Sequence, residues 1–295
     1  MNTLEMLLDD TGRVDELDAA GLARGRAAVH RAVIDPSAAT SPVRVTRPST
    51  RRRRLVLTGV AAATVAVAVA VPVVSFGGNG PAMDAAAATL LRHAGAAAGA
   101  QPGGWPDAAY WHVSSSYVRD GKTYRRDIWV GHHGSSVLRD TGLPDADGTM
   151  SGTPELIPGD GVFDAGATGL SWDQLYALPT DPARLKTQLQ ADIRDAGSDP
   201  TSELFVAVGD LLRESPASPA LREALYDVAA GIPGVHVTGR MTDATGRTGT
   251  GVTYGHETYV IDPSDGRLLA DLADGWRATY LEQGPTADAP VVPAK

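Results

Sequence analysis

Residues 55–74, LVLTGVAAATVAVAVAVPVV, are twenty positions without a charge. At about 1.5 Å per residue a helix of that length reaches roughly 30 Å, the thickness of a bilayer's hydrocarbon core. A lone span must satisfy its own backbone hydrogen bonds there, so helix is the state the pattern predicts. Pro72 falls in the last turn, where a missing bond costs little, and FGGNGP at 76–81 ends the helix. Buried core helices rarely run so far without a charge, so a transmembrane helix is expected over 55–75.

On either side the periodicity is different. Leu4, Leu7 and Leu8 form one helical stripe, and Leu22, Ala23, Arg26, Val29 and Val33 form a second. Residues 35–50, DPSAATSPVRVTRPST, have no periodic apolar positions and read as a linker. After the span, MDAAAATLLRHAGAAA predicts a helix capped by Asp84. In the next stretch Tyr110, His112, Ser114 and Ser116 alternate with Trp111, Val113, Ser115 and Tyr117. RDGK turns the chain, and TYRRDIWV returns as the second strand of a hairpin. Residues 131–170 are rich in Gly, Asp and Pro and predict a long loop with short strands.

Three helix starts then share one grammar. Asp181-Pro182, Asp199-Pro200 and Ser218-Pro219 each place a capping side chain before a proline whose missing N–H is harmless. Their stripes run Leu185, Leu189, Ile193; Leu204, Val208, Leu211, Leu212; and Leu221, Leu225, Val228, with Gly231 closing the third. The tail returns to period two in VHVTGRMTD, TGTGVTYG, ETYVIDP, RLLADLA and WRATYLEQ, with DATG and DPSDG as turns. Strands, then helices, then strands predict an α+β fold built on an antiparallel sheet packed with helices.

Charge orients this layout. The net −9 divides into +3 over residues 1–54 and −12 over the rest, and residues 41–54 alone carry six arginines and no acid. Arg44, Arg47, Arg51, Arg52, Arg53 and Arg54 precede the span, and Asp84 is the first charge after it. Positive charge stays in the cytoplasm, so Arg51, Arg52, Arg53 and Arg54 set the membrane topology, with the N-terminus inside. The expected divisions are a cytoplasmic helical segment and basic linker at 1–54, the transmembrane helix at 55–75, an extracytoplasmic α+β domain at 83–284 and a disordered tail at 285–295. A twin-arginine signal, cleaved near residues 70–83, is the rival reading, since Arg52, Arg53, Arg54, Leu55 and Val56 fit its pattern. The basic strip suits the bilayer surface, and the acidic remainder would repel phosphate backbones, so no nucleic-acid partner is expected.

Candidate chemistry is sparse. The chain has no cysteine, which excludes disulfides, thiolate metal sites and cysteine nucleophiles. Asp140-Thr141-Gly142 matches one half of an aspartic-protease site, but that chemistry needs two such loops. His132 and His133 are neighbours, and His112, His256 and Glu257 have no spacing that joins them into a metal site. The motifs DADG and DPSDG are read as turns rather than calcium loops. No catalytic residue, cofactor or metal ligand is assigned on these grounds.

Several stretches carry a resemblance: LARGRAAV, the arginine-flanked span, LPTDPARLKTQL, LREALYDVAAGIPGV, TDATGRTGTGV and YVIDPSDGRLLA. The chain resembles a family of uncharacterised actinobacterial single-pass membrane proteins named after a locus tag, often encoded beside extracytoplasmic-function sigma factors. That resemblance implies a sigma-factor signalling setting and assigns no catalytic residue. The favoured function is a non-catalytic, membrane-anchored envelope sensor or interaction protein. Its partners are the lipid bilayer, a cytosolic regulatory protein at residues 1–50, and an envelope ligand, lipid or protein. Two alternatives stay open. One is a lipid- or lipoprotein-binding extracytoplasmic domain. The other is a secreted hydrolase released by signal cleavage, which would need an aspartic or histidine site in the 131–170 loop, at Asp140 or His133.

Overall fold

The computed structural model describes residues 84–119, 121–142, 152–166, 168–193, 199–273 and 275–294. The expected cytoplasmic segment, Arg51, Arg52, Arg53 and Arg54, and the span at 55–75 lie outside these residues. Among the described residues no helix is long and apolar enough to cross a membrane.

Two antiparallel meanders meet at their ends. The first holds β1 (Tyr110–Arg119), β2 (Lys122–Gly131), β3 (Ser136–Thr141) and β4 (Glu155–Ile157). The second holds β7 (His236–Thr242), β8 (Thr248–Tyr254), β9 (Glu257–Asp262), β10 (Arg267–Ala273) and β11 (Trp276–Thr286). Pairing of β1 with β11 joins them into a nine-stranded sheet in the order β4-β3-β2-β1-β11-β10-β9-β8-β7. The excursion between the meanders carries a small hairpin of β5 (Val162–Ala165) and β6 (Thr168–Ser171) and then four helices. These are α2 (Trp172–Tyr176), α3 (Pro182–Asp192), α4 (Pro200–Glu214) and α5 (Pro219–Ala230); α1 (Ala85–Gly99) precedes the sheet.

Helix starts follow their caps. Asp84 accepts from the amide of Ala86 at 2.8 Å, Asp181 from Arg184 at 2.9 Å, Asp199 from Thr201 at 3.2 Å and Ser218 from Leu221 at 3.3 Å. Each satisfies an amide that the first helical turn leaves free. Gly231 does cap α5, with φ −96°, so the stop does not use the left-handed region. The short strands expected within 131–170 are present in its described part as β3, which joins the main sheet, β4, β5 and β6, and just beyond it Ser171 and Gln174 form a capping box that starts α2.

Alternation sorts the strands into two faces. Tyr259 and Ile261 enter the main core with the helices, while Val260 between them joins a small cluster with Leu269, Ala270, Met241 and Leu272. The main core is built from Leu204, Phe205, Val208 and Leu211 of α4, Leu221 and Leu225 of α5, and Leu91 of α1, against Val113, Val252, Ala278 and Tyr280 of the sheet. Two glycines set the closest approaches. A Cβ on Gly95 would lie 2.9 Å from the Tyr226 Cβ where α1 meets α5, and one on Gly209 would strike the Tyr259 ring where α4 meets the sheet.

Candidate functional site

The sheet comes apart at one place. Strands β10 and β11 pair only over residues 270–273 and 276–279. Beyond that point β10 stays with β9, with a bulge between Leu268 and Ala270, while β11 continues along β1. Parting strands leave backbone carbonyls without ladder partners, and buried carbonyls need donors. Arg247 provides them: its Nη2 donates to the carbonyls of Leu269, at 3.3 Å, and Tyr280. Its Nε is held by Asp243 at 2.6 Å.

A cleft of about 360 Å3 opens at this split. Trp111, Leu268, Leu269, Tyr280 and Leu281 supply ring and leucine walls, and the starting turn of α5 and the end of α1 close the helical side. Three arginines line it: Arg222, Arg247 and Arg267. Arg267 pairs with Asp265 at 3.1 Å and is 63% exposed, so that pair contributes little. Arg222 donates to the Leu212 carbonyl at 3.2 Å and to Gln283 Oε1 at 3.5 Å. Among the described residues no ion pair joins it to a carboxylate. Burial holds its guanidinium below the usual arginine range, and Arg267 pushes the same way against the opposing pull of Tyr226 and Asp265.

Gln283 links this cleft to a buried charge cluster, since its amide also donates to the Arg213 carbonyl. Arg213 Nη1 donates to Asp271 Oδ2 at 2.8 Å, Nη2 pairs with Asp210, and Nε reaches Glu214 at 3.2 Å. The second oxygen of Asp210 accepts from the Gly166 amide at 2.7 Å. Glu257 Oε2 and Asp271 Oδ1 are both buried and meet no N–H donor. Burial raises both carboxyls, and each feels the other. Raised carboxyls have the chemistry of a general acid; of this pair Asp271 is only 1% exposed and Glu257 is half-buried. The Arg213–Asp271 pair therefore clamps α4 onto β10.

The residues weighed from sequence are spread over the fold. Asp140 sits in β3, gripped by Arg126 through bonds of 2.8 and 2.6 Å. His133 stacks on His132 at 4.3 Å, and His132 on Trp172 at 4.4 Å, in the bend after β2. No contact among the described residues joins Asp140 to His133. His112 belongs to a different group: its Nε2 lies 3.1 Å from Asp127, and its ring stacks on Trp129 at 4.5 Å. Burial opposes ionisation of Asp127, but hydrogen bonds, those from Ser114, Arg125, His112 and Arg139, outweigh it and hold the carboxyl below its ordinary range. Among the described residues no three His, Asp or Glu side chains converge to hold a metal. DPSDG makes the β9–β10 turn, where Asp262 accepts from Ser264, and DADG lies outside the described residues.

The cleft arginines were not marked by any sequence motif weighed above. Two of them do share a signal. Both the β7–β8 and β9–β10 turns end in Gly-Arg, Gly246-Arg247 and Gly266-Arg267, with each glycine at positive φ. That repetition places two guanidinium groups at corresponding ends of neighbouring hairpins.

No family model and no curated protein matches the chain. Among solved structures it is similar to a chain of the crystal structure of MucB in complex with MucA(peri), with a TM-score of 0.26 and 13% identity. That match covers 69% of this chain and 57% of the other. A chain of the complex structure of Pseudomonas aeruginosa MucA/MucB gives a TM-score of 0.25 and 15% identity, covering 70% and 59%. The chain thus spans less than two thirds of the length of either. At those scores the reading of the site rests on this chain's own residues.

Proposed function

We propose that this chain is a non-catalytic, membrane-anchored interaction protein of the cell envelope. Residues 55–75 anchor it, the α+β domain lies outside and binds a ligand, and residues 1–50 report to a cytosolic regulatory protein. The resemblance to proteins encoded beside extracytoplasmic-function sigma factors makes sigma-factor signalling the setting. One observation carries the binding role. The open concavity at the sheet's split contains a half-buried guanidinium that forms no ion pair with a carboxylate among the described residues, while Asp210 and Asp271 of the neighbouring cluster are buried. An open site with unspent guanidinium donors fits recognition.

The alternatives ask for different features. A lipid-binding domain calls for an apolar cavity, whereas this cleft has three arginines on its walls. A hydrolase in the 131–170 loop calls for an available Asp140 or His133, whereas Asp140 is held by Arg126 and His133 stacks on His132. Photo-crosslinkers at Leu7, Leu22 and Val29 of the full-length chain in cells test the signalling half. They should trap a sigma factor or its regulator, and the trap should disappear when residues 1–50 are deleted. Crosslinking that captures no cytosolic protein at any of the three positions would remove that half of the reading.

A further inference from the structure

We infer that the cleft at the sheet's split binds an oxyanion, a carboxylate or phosphate group, with Arg222 as its anchor and Arg267 as a second cation at the rim. This rests on the reading of the outer domain as a binding domain. The arginines of the domain differ in their partners. Arg126 has Asp140, Arg213 has Asp210 and Asp271, and Arg247 has Asp243. Arg222 has a backbone carbonyl and a glutamine oxygen, both on Nη2. A guanidinium offers five N–H donors in a planar fork, so Nε and Nη1 retain donors with no recorded acceptor among the described residues. Asp265 of the same lining acts on this half-buried cation only at a distance and forms no ion pair with it, so an oxyanion matching the fork gains charge-assisted bonds that no carboxylate among the described residues supplies.

The surroundings point the same way. Pro219 and Ala217 place the N-terminal end of α5, twelve residues long, against the cleft, and that end carries partial positive charge. Across residues 55–295 acids outnumber basic residues by twelve, yet the cleft lining holds three arginines against Asp265 and Glu282. The Trp111 indole N–H, from a residue of the same lining, is buried with no acceptor. Leu268, Leu269, Leu281 and the Trp111 ring give the apolar body of a ligand somewhere to lie. A volume of about 360 Å3 suits a small molecule or a single chain end.

Calorimetric titration of the full-length protein in detergent tests the site with three probes: inorganic phosphate, acetate and glycerol 3-phosphate. At least one should bind saturably. Arg222→Met should weaken it by roughly tenfold or more, the size expected for losing hydrogen bonds to a charged group. Arg267→Ala, at an exposed side chain, keeps the fold and should weaken binding by a few-fold. Arg139→Ala, away from the cleft lining, should leave binding unchanged. Preference for glycerol 3-phosphate over inorganic phosphate assigns the anion to a headgroup, and the reverse order assigns it to a free ion. Absence of saturable binding for all three probes, or wild-type affinity in Arg267→Ala and Arg222→Met, overturns the site. Neither result touches the crosslinking at residues 1–50, so the two readings fail separately.

Discussion

Asp210, Glu257 and Asp271 surround a single guanidinium, Arg213, and one positive charge cannot neutralise three carboxyls taken out of water. The group therefore keeps protons that exposed carboxyls would release. Burial pushes Asp210 up from 3.8 to about 7, with Arg213 pulling it down and Glu214 pushing it up. Asp271 and Glu257 are raised by burial as well, so the protons belong to the cluster more than to one residue. An acid raised in the folded state binds its proton more tightly there than in the unfolded chain. Its contribution is fully present below the unfolded value and is lost as the pH climbs through the folded one. Asp127 and Asp243 are held low by hydrogen bonds that overcome burial, so their contribution disappears only below the ordinary carboxylate range. Between about pH 4.5 and about pH 7.5 the raised group governs, and the melting temperature should fall across that window. Asp210→Asn should flatten the fall. A wild-type melting temperature that rises through the same window would contradict the assignment.

At the scale of elements, the helices depend on local caps more than on composition. Asp181 holds the first turn of α3 through one bond to the Arg184 amide. Asp181→Ala should cost about 1 kcal/mol in urea unfolding and Asp181→Asn much less, because asparagine still accepts that bond. Equal losses in the two variants would mean that the cap is not what stabilises this end. Such features explain what was legible beforehand. Caps, proline starts, Asp-Gly turns and period-two strands are short-range chemistry, and they gave α1, α3, α4, α5, the β1–β2 hairpin and the five tail strands. Helix α2 has five residues, too few for a period, and only Ser171 and Gln174 hint at it. Strand β11 runs to Thr286, past the end expected at Gln283, because beyond the split it pairs with β1 alone and Pro285 breaks no ladder with β10. The cleft was not legible for the same reason. It arises where two strands stop pairing, and it gathers Arg222, Arg247 and Arg267 from three separate places.

Over the whole molecule, a sheet made of two meanders presents a split at its centre, and a basic strip with an uncharged span stands before it. The account depends on that order having a direction across a membrane. Each arginine carried through the bilayer centre would cost about 2.5–3.5 kcal/mol even on the most lenient insertion scale, and six precede the span within residues 41–54. The segment after it has no basic residue until Arg92. The proposed anchored binding domain outside and reporting segment inside rest on that asymmetry, and a reversed orientation removes both. Protease added to intact protoplasts carrying an N-terminally tagged chain is the most direct measurement. The account predicts that residues after about 80 are digested while the tag and residues 1–50 stay protected. Digestion of the tag, or recovery of the α+β domain free in the medium with an N-terminus near Ala82, would contradict it.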